Sequence, residues 1–186
     1  DHDRAIADAT EALRIEPANV YALSVRGDAR RALKQLDEAI ADFDEAIRLT
    51  PNDADLFVRR GSVLAEQKEI TPALADLDTA VQLEPKLVIA RSVRAVIRQN
   101  ARRYLLAVED HDEAIRLAPD RDDLYVARSK TWEARREFDH ALSDMTEAVR
   151  LAPRKFELRL RRAELFTRKR RFTEASADLS QGVKLA

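Results

Sequence analysis

Written in rows of 34 residues, the chain resolves into columns of apolar, small and charged positions. One column of small residues runs Ala5, Ala39, Ala73, Ala107, Ala141 and Ala175; seven residues on, a second runs Ala12, Ala46, Ala80, Ala114, Ala148 and Gly182. Small residues seven apart share a helix face and let a neighbouring helix come close. A large apolar residue follows each alanine: Ile6, Ile40, Leu74, Val108 and Leu142 in the first set, Leu13, Ile47, Val81, Ile115 and Val149 in the second. Together they form the wide apolar stripe of a helix packed on more than one side. Pro17, Pro51, Pro85, Pro119 and Pro153 close the rows at the same spacing. A constant period of this length marks a solenoid of stacked supersecondary units rather than one globular core.

The second helix of each row is predicted over 37–50, 71–84, 105–118, 139–152 and 173–185, with an unpaired helix over 3–16 ahead of them. Asp3, Asp37, Thr71, Asp139 and Thr173 are its N-cap candidates, and Pro72 suits a first turn. Arg14, Arg48, Arg116, Arg150 and Lys184 bring positive charge to the C-terminal ends, where the macrodipole favours it. First helices are predicted over 20–33, 54–67, 88–101, 122–135 and 156–169 from pairs such as Ala22-Leu23, Leu56-Phe57 and Leu124-Tyr125. Each carries a small residue four positions later: Gly27, Gly61, Ala95, Ser129 or Ala163. Eleven helices and an all-α fold result. Row three departs from the pattern, with Leu105 at the cap position and His111 where other rows carry Phe43, Leu77, Met145 and Leu179.

These columns resemble the tetratricopeptide repeat family along the whole chain. A Gly, Ala or Ser in the first helix, Ala-apolar at the head of the second, a second small residue seven later and a closing proline carry the resemblance. The row YALSVRGDARRALKQLDEAIADFDEAIRLTP matches throughout, and five rows stand in register without an insertion. The period argues against the pentatricopeptide family of RNA readers, whose repeat is one residue longer. The resemblance implies a right-handed α-solenoid of antiparallel helix pairs whose first helices line a concave groove for a peptide or partner helix. On that frame, 1–186 is a single array: 1–19 is the second helix of a truncated repeat, 20–53, 54–87, 88–121 and 122–155 are full repeats, and 156–186 is a fifth repeat lacking its closing residues.

Composition agrees. Charged residues make up 36% and aromatics 5%, which fits helices with wet outer faces and small-residue seams better than a sandwich or barrel. Three glycines leave little material for hairpins. No run of 18 apolar residues occurs, and no signal peptide is visible. The chain starts inside a repeat at Asp1, so the expectation is a piece of a larger protein. The lack of cysteine excludes a disulfide framework and thiolate metal sites and leaves the compartment open, with the cytoplasm favoured. Net charge is -1, yet residues 1–87 hold 11 basic and 18 acidic side chains while residues 88–186 hold 22 and 16. The two halves therefore differ in sign.

Two charged columns share the period: Arg26, Arg60, Arg94, Arg128 and Arg162 on the first helices, and Asp8, Asp42, Asp76, Asp110, Asp144 and Asp178 on the second. They read either as a guanidinium ladder for an acidic ligand or as a structural Arg–Asp pair in each repeat. The matched period of the acids favours the pair. Whether Arg26 meets Asp42 of its own repeat or Asp8 of the preceding one is open at this level.

No catalytic constellation emerges. His2, His111 and His140 form no ligand pair, phosphate loops and nucleophile elbows are absent, and the acids have basic neighbours at helical spacing, as in Glu45 with Arg48. The expectation is a non-enzyme without cofactor or metal. The groove face reads as Val58, Arg59 and Ser62; Ile89, Ser92, Val93 and Val96; Val126 and Lys130; and Leu160 and Arg161, apolar in its middle. A lysine/asparagine carboxylate clamp known from some family members is missing, since its columns read Ser24 and Asp28, Val58 and Ser62, Ser92 and Val96. Basic residues gather where first helices turn into second ones: Arg30, Arg31, Lys34; Arg102, Arg103; Arg135, Arg136; and Arg168, Lys169, Arg170, Arg171. With few aromatics among them to stack bases, nucleic acid is not the expected partner and charge at helix C-termini is the favoured reading. The expected function is a scaffold that binds a protein or peptide in the groove. The alternative is a structural module that self-assembles head to tail through unlike ends, one acidic and one basic.

Overall fold

The computed structural model describes residues 1–183; the predicted terminal charge at Lys184 and the end of the last predicted helix lie outside the described residues. Among the described residues there are eleven α-helices and no strand: α1 (His2–Ile15), α2 (Val20–Ala32), α3 (Leu36–Leu49), α4 (Ala54–Glu66), α5 (Ile70–Leu83), α6 (Val88–Asn100), α7 (Tyr104–Leu117), α8 (Asp122–Ala134), α9 (Phe138–Leu151), α10 (Phe156–Arg168) and α11 (Phe172–Val183). The fold is all-α.

The chain forms two compact units, Asp1–Ile97 and a second from Arg98 onward. In the first, each helix from α1 to α4 packs on the one that follows it. Its core holds two clusters, one around Leu23, Phe43, Leu56 and Val63 and one around Phe57, Leu77, Ala90 and Ile97. In the second, each helix from α7 to α10 packs on its successor, over a cluster built on Leu142, Met145, Val149, Leu158 and Phe166.

The small columns do what their size allows. Ala39, Ala73, Ala107 and Ala141 are fully buried, as are Ala46, Ala80, Ala114 and Ala148. At Gly61 an added Cβ would stand 3.0 Å from the Ala73 carbonyl oxygen, so the backbone of α5 comes too close for a side chain there. Ser129 holds the same position in the second unit, and its hydroxyl donates to the Ala141 carbonyl at 3.0 Å.

Second helices begin about one residue earlier than predicted, and their caps are not the acids and threonines named above. Asp3, Asp37, Thr71 and Asp139 lie inside the first turn, as does Thr173. The caps are Asp1, Gln35, Glu69, Arg103 and Glu137, none with a side-chain cap bond. The preceding turn sets this. Each first helix ends in a Schellman motif, with the amide of Gln35 donating to the Arg30 carbonyl at 2.9 Å and that of Lys34 to Arg31 at 3.0 Å. The same bonds recur at Glu69–Leu64, Arg103–Arg98, Glu137–Trp132 and Arg171–Phe166. The left-handed residue of every motif is basic: Lys34, Lys68, Arg102, Arg136 and Arg170. At the other junctions Asn19 and Asp53 cap α2 and α4 through their side chains, and the residue before each closing proline is driven out of helical geometry, as at Glu16.

Candidate protein-interaction surface

The charged columns form the framework on which exposed side chains are held. Arg26 donates to Asp42 through Nε at 3.1 Å and Nη2 at 2.6 Å. Arg60 grips Asp76, Arg128 grips Asp144 and Arg162 grips Asp178 in the same two-pronged way. The pair therefore joins the first and second helix of one repeat, and Asp8, at 76% side-chain exposure, is not the partner of Arg26. Arg30 adds a second guanidinium to Asp42 at 2.7 Å, and Arg98 takes Asp110 at 2.8 Å.

The free prong of these arginines reaches back to the preceding second helix. Arg60 Nη1 meets Asp44 at 2.7 Å, Arg94 Nη1 meets Asp78 at 2.7 Å and Arg128 Nη1 meets Asp112 at 2.6 Å. At Arg60 and Arg128 one guanidinium thus bolts three helices. The hydrogen bond to Asp76 is the main cause that holds the Arg60 pKa above its usual value. At Arg128 burial opposes the charge, but the bonds to Asp144 and Asp112 outweigh it. Asp44, Asp78 and Asp112 recur with the period. Sequence reasoning missed them because it sought one acid per arginine, although the five donors of a guanidinium can serve two carboxylates.

In the first unit, Val58 is buried at 5% exposure and presents no face to solvent. Arg59 bonds Asp55 at 2.6 Å and also meets Asp28; burial pushes the Asp28 carboxyl up, against the pull of Arg59. Ser62 donates its hydroxyl to the Val58 carbonyl at 2.7 Å, while the half-buried Ser92 keeps an unpartnered, enclosed Oγ. Ile89 and Val96 are 44% and 45% exposed, and Val93 between them is partly buried against the core. In the second unit, Val126 packs partly against the core, Lys130 is exposed, Leu160 is 43% exposed, and Arg161 lies 3.5 Å from Glu133. Arg59 and Arg161 are thus held by acids of the chain itself.

His111 fills the column of Phe43, Leu77 and Met145, and like them it is fully buried. Neither ring nitrogen has a partner. Burial is the main cause that drives its pKa down to about 4; Asp110 and Asp112 pull it up and Arg128 pushes it further down. Among the described residues no group of three or more His, Cys, Asp or Glu is placed to hold a metal ion, and no helix is long and apolar enough to cross a membrane.

Two family models match the chain, one described as TPR repeat over residues 27–68 and one as tetratricopeptide repeat over residues 132–184. The chain belongs to the tetratricopeptide repeat family. Its fold, the α-solenoid of antiparallel helix pairs, is shared by solved structures of low sequence identity. A tetratricopeptide repeat protein from Parabacteroides merdae is 22% identical with TM-score 0.79, over 100% of this chain and 74% of its own. MamA from Desulfovibrio magneticus RS-1 is 17% identical with TM-score 0.76, over 89% and 94%. YrrB is 14% identical with TM-score 0.68, over 95% and 91%. No curated protein matches at a significant level. Tetratricopeptide repeats are generally non-catalytic scaffolds for protein–protein interaction, and this one carries the same fold.

Proposed function

We propose that this protein captures an extended peptide or a partner helix against the faces of its first helices. The observation that carries the reading is the stripe Ile89, Val93 and Val96 on α6, spaced to share one helix face, with its outer members more than two-fifths exposed. Such side chains on a rigid surface lose water on binding with little ordering cost. In the second unit, Leu160 on α10 and Lys130 on α8 are exposed on first helices as well. Val58 is buried and makes no anchor, and Arg59 and Arg161 serve the surface by bracing it. YrrB, which shares the fold, has an unusual peptide-binding site, and this supports a peptide as the class of ligand.

Peptides selected from a random display library against the wild-type chain test the reading. Val96→Asp, an exposed substitution that leaves the core intact, is expected to abolish capture of most of them. Full capture by this variant would remove α6 from the site. The self-assembly reading keeps one observation of its own, a largely apolar cavity of about 180 Å³ lined by Phe156, Leu160, Asp178, Leu179, Gly182 and Val183. Light scattering that finds a monomer at every salt concentration would dismiss it.

A further inference from the structure

The basic edge where first helices turn into second ones has two kinds of segment. In one kind the charge is absorbed within the chain: Arg31 and Lys34 share Glu66, Lys169 meets Asp139, and Arg171 bonds Glu174 at 2.8 Å. At the start of α3 and of α9 an acid bridges forward to the next loop, Asp37 to Gln67 and Asp139 to Lys169. At the start of α7 the equivalent residue is Leu105, opposite Arg135, and the bridge cannot form. Arg135 turns instead to Glu137 at 2.7 Å and stacks over Trp132.

What remains is a cavity of about 440 Å³ lined by Arg102, Arg103, Tyr104, Leu105, Leu106 and Arg135. Three arginines line it and no acidic residue does, although Arg135 already holds Glu137. Among the described residues, Arg102 and Arg103 have no acidic partner. Leu105 is 65% exposed and Leu106 41%, two adjacent large apolar side chains at a helix start where α3 carries Asp37 and Glu38. Arg102 occupies the left-handed position of its turn, φ 58°, and is exposed.

We propose that this pocket is a second docking site, distinct from the first-helix faces, for an acidic segment of a protein partner that carries a large apolar side chain. Exposed leucines alone would suit any apolar surface, and arginines alone any polyanion. The combination selects a ligand with carboxylates flanking an apolar anchor: the guanidiniums give charge-assisted, bidentate bonds, and the leucines lose water beneath the anchor.

The test uses a fluorescein-labelled acidic peptide with leucines at helical spacing, a version with serine for leucine, and a single-stranded oligonucleotide, all titrated by anisotropy. Leu105→Asp is the decisive variant because it installs the acid that α3 and α9 already carry and should keep the helical content unchanged. It is expected to weaken binding of the acidic peptide by roughly tenfold or more, as is Arg103→Glu, and added salt should weaken the wild-type complex. Val96→Asp should leave this binding unchanged. Equal affinity for Leu105→Asp and wild type would overturn the proposal. So would equal affinity for the serine peptide or the oligonucleotide, or loss of binding in Val96→Asp, which would return the peptide to α6.

Discussion

Asp8 on α1 and Asp42 on α3 hold the same position of the repeat, yet their surroundings share little. Asp42 is 3% exposed and receives hydrogen bonds from both Arg26 and Arg30. Asp8 is 76% exposed, and its nearest cation is Arg4 at 3.9 Å on the same helix. The column shows that a residue type recurs; burial and partners decide what it is worth. A surface pair such as Arg4–Asp8 contributes little, whereas removing one partner of a buried pair leaves a charge stranded.

Alanine at each position should break the comparison open. Asp42→Ala is expected to cost about 3 kcal/mol, the low end of the range for stranded buried charges, because Arg26 and Arg30 are partly wet and can turn to solvent. Asp8→Ala should shift stability by less than about 0.5 kcal/mol. Urea midpoints for the two variants measure the gap. Equal losses would show that the column, rather than the environment, carries the energy.

The seam offers the converse case, in which different residues meet the same environment. Met145 and His111 are both fully buried at one position of the repeat, but only His111 can take a proton. Its pKa of about 4 in the fold lies below the ordinary value of 6.5, so the unfolded chain binds the proton first. The stability carried by the neutral ring is present above about pH 6.5 and is lost as the pH falls through the folded value. From pH 7 to pH 5 the loss should be about 2 kcal/mol. Asp110, Asp112 and Arg128 face this ring, and their own titration is common to wild type and variant. His111→Met, which copies Met145, should therefore flatten the dependence of the thermal midpoint on pH over that interval. Parallel pH profiles for the two proteins would place the proton elsewhere.

What was legible in the sequence follows the same division. The helix count, the small columns and the Arg–Asp partnership show at a fixed period, because a repeat multiplies each weak signal by the number of rows. The register of Arg26 with Asp42 did not show, since both candidate acids lie sixteen to eighteen residues away and only packing chooses between them. The second-helix starts were misplaced because Asp37 and Asp139 look like caps, while a left-handed residue three positions earlier fixes the turn. Val58 reads as a groove valine by column, yet it is buried where Val96 on α6 is open. The departures of row three, Leu105 and His111, were visible as letters; their consequences needed the neighbours.

The smallest expected effect sharpens the comparison most finely. Lys34 and Lys68 both occupy the left-handed end of a Schellman motif, at φ 62° and 69°. A side chain there costs roughly 1–2 kcal/mol relative to glycine, offset in part by the extra freedom that glycine gives the unfolded chain. Lys68 is exposed and has no partner among the described residues, so Lys68→Gly should stabilise by about 1 kcal/mol. Lys34 meets Glu66 at 2.8 Å, a carboxylate that Arg31 also holds, and Lys34→Gly gives up that contact. Its gain should be smaller by a few tenths of a kcal/mol, the size of an exposed ion pair. Thermal midpoints of the two glycine variants, compared at low and high salt, resolve the difference. The Lys34 variant should approach the Lys68 variant as salt screens the lost pair. If both glycines destabilise, the side chains at these turns contribute more than their conformation costs, and the basic residue at every turn is there for stability rather than for a partner.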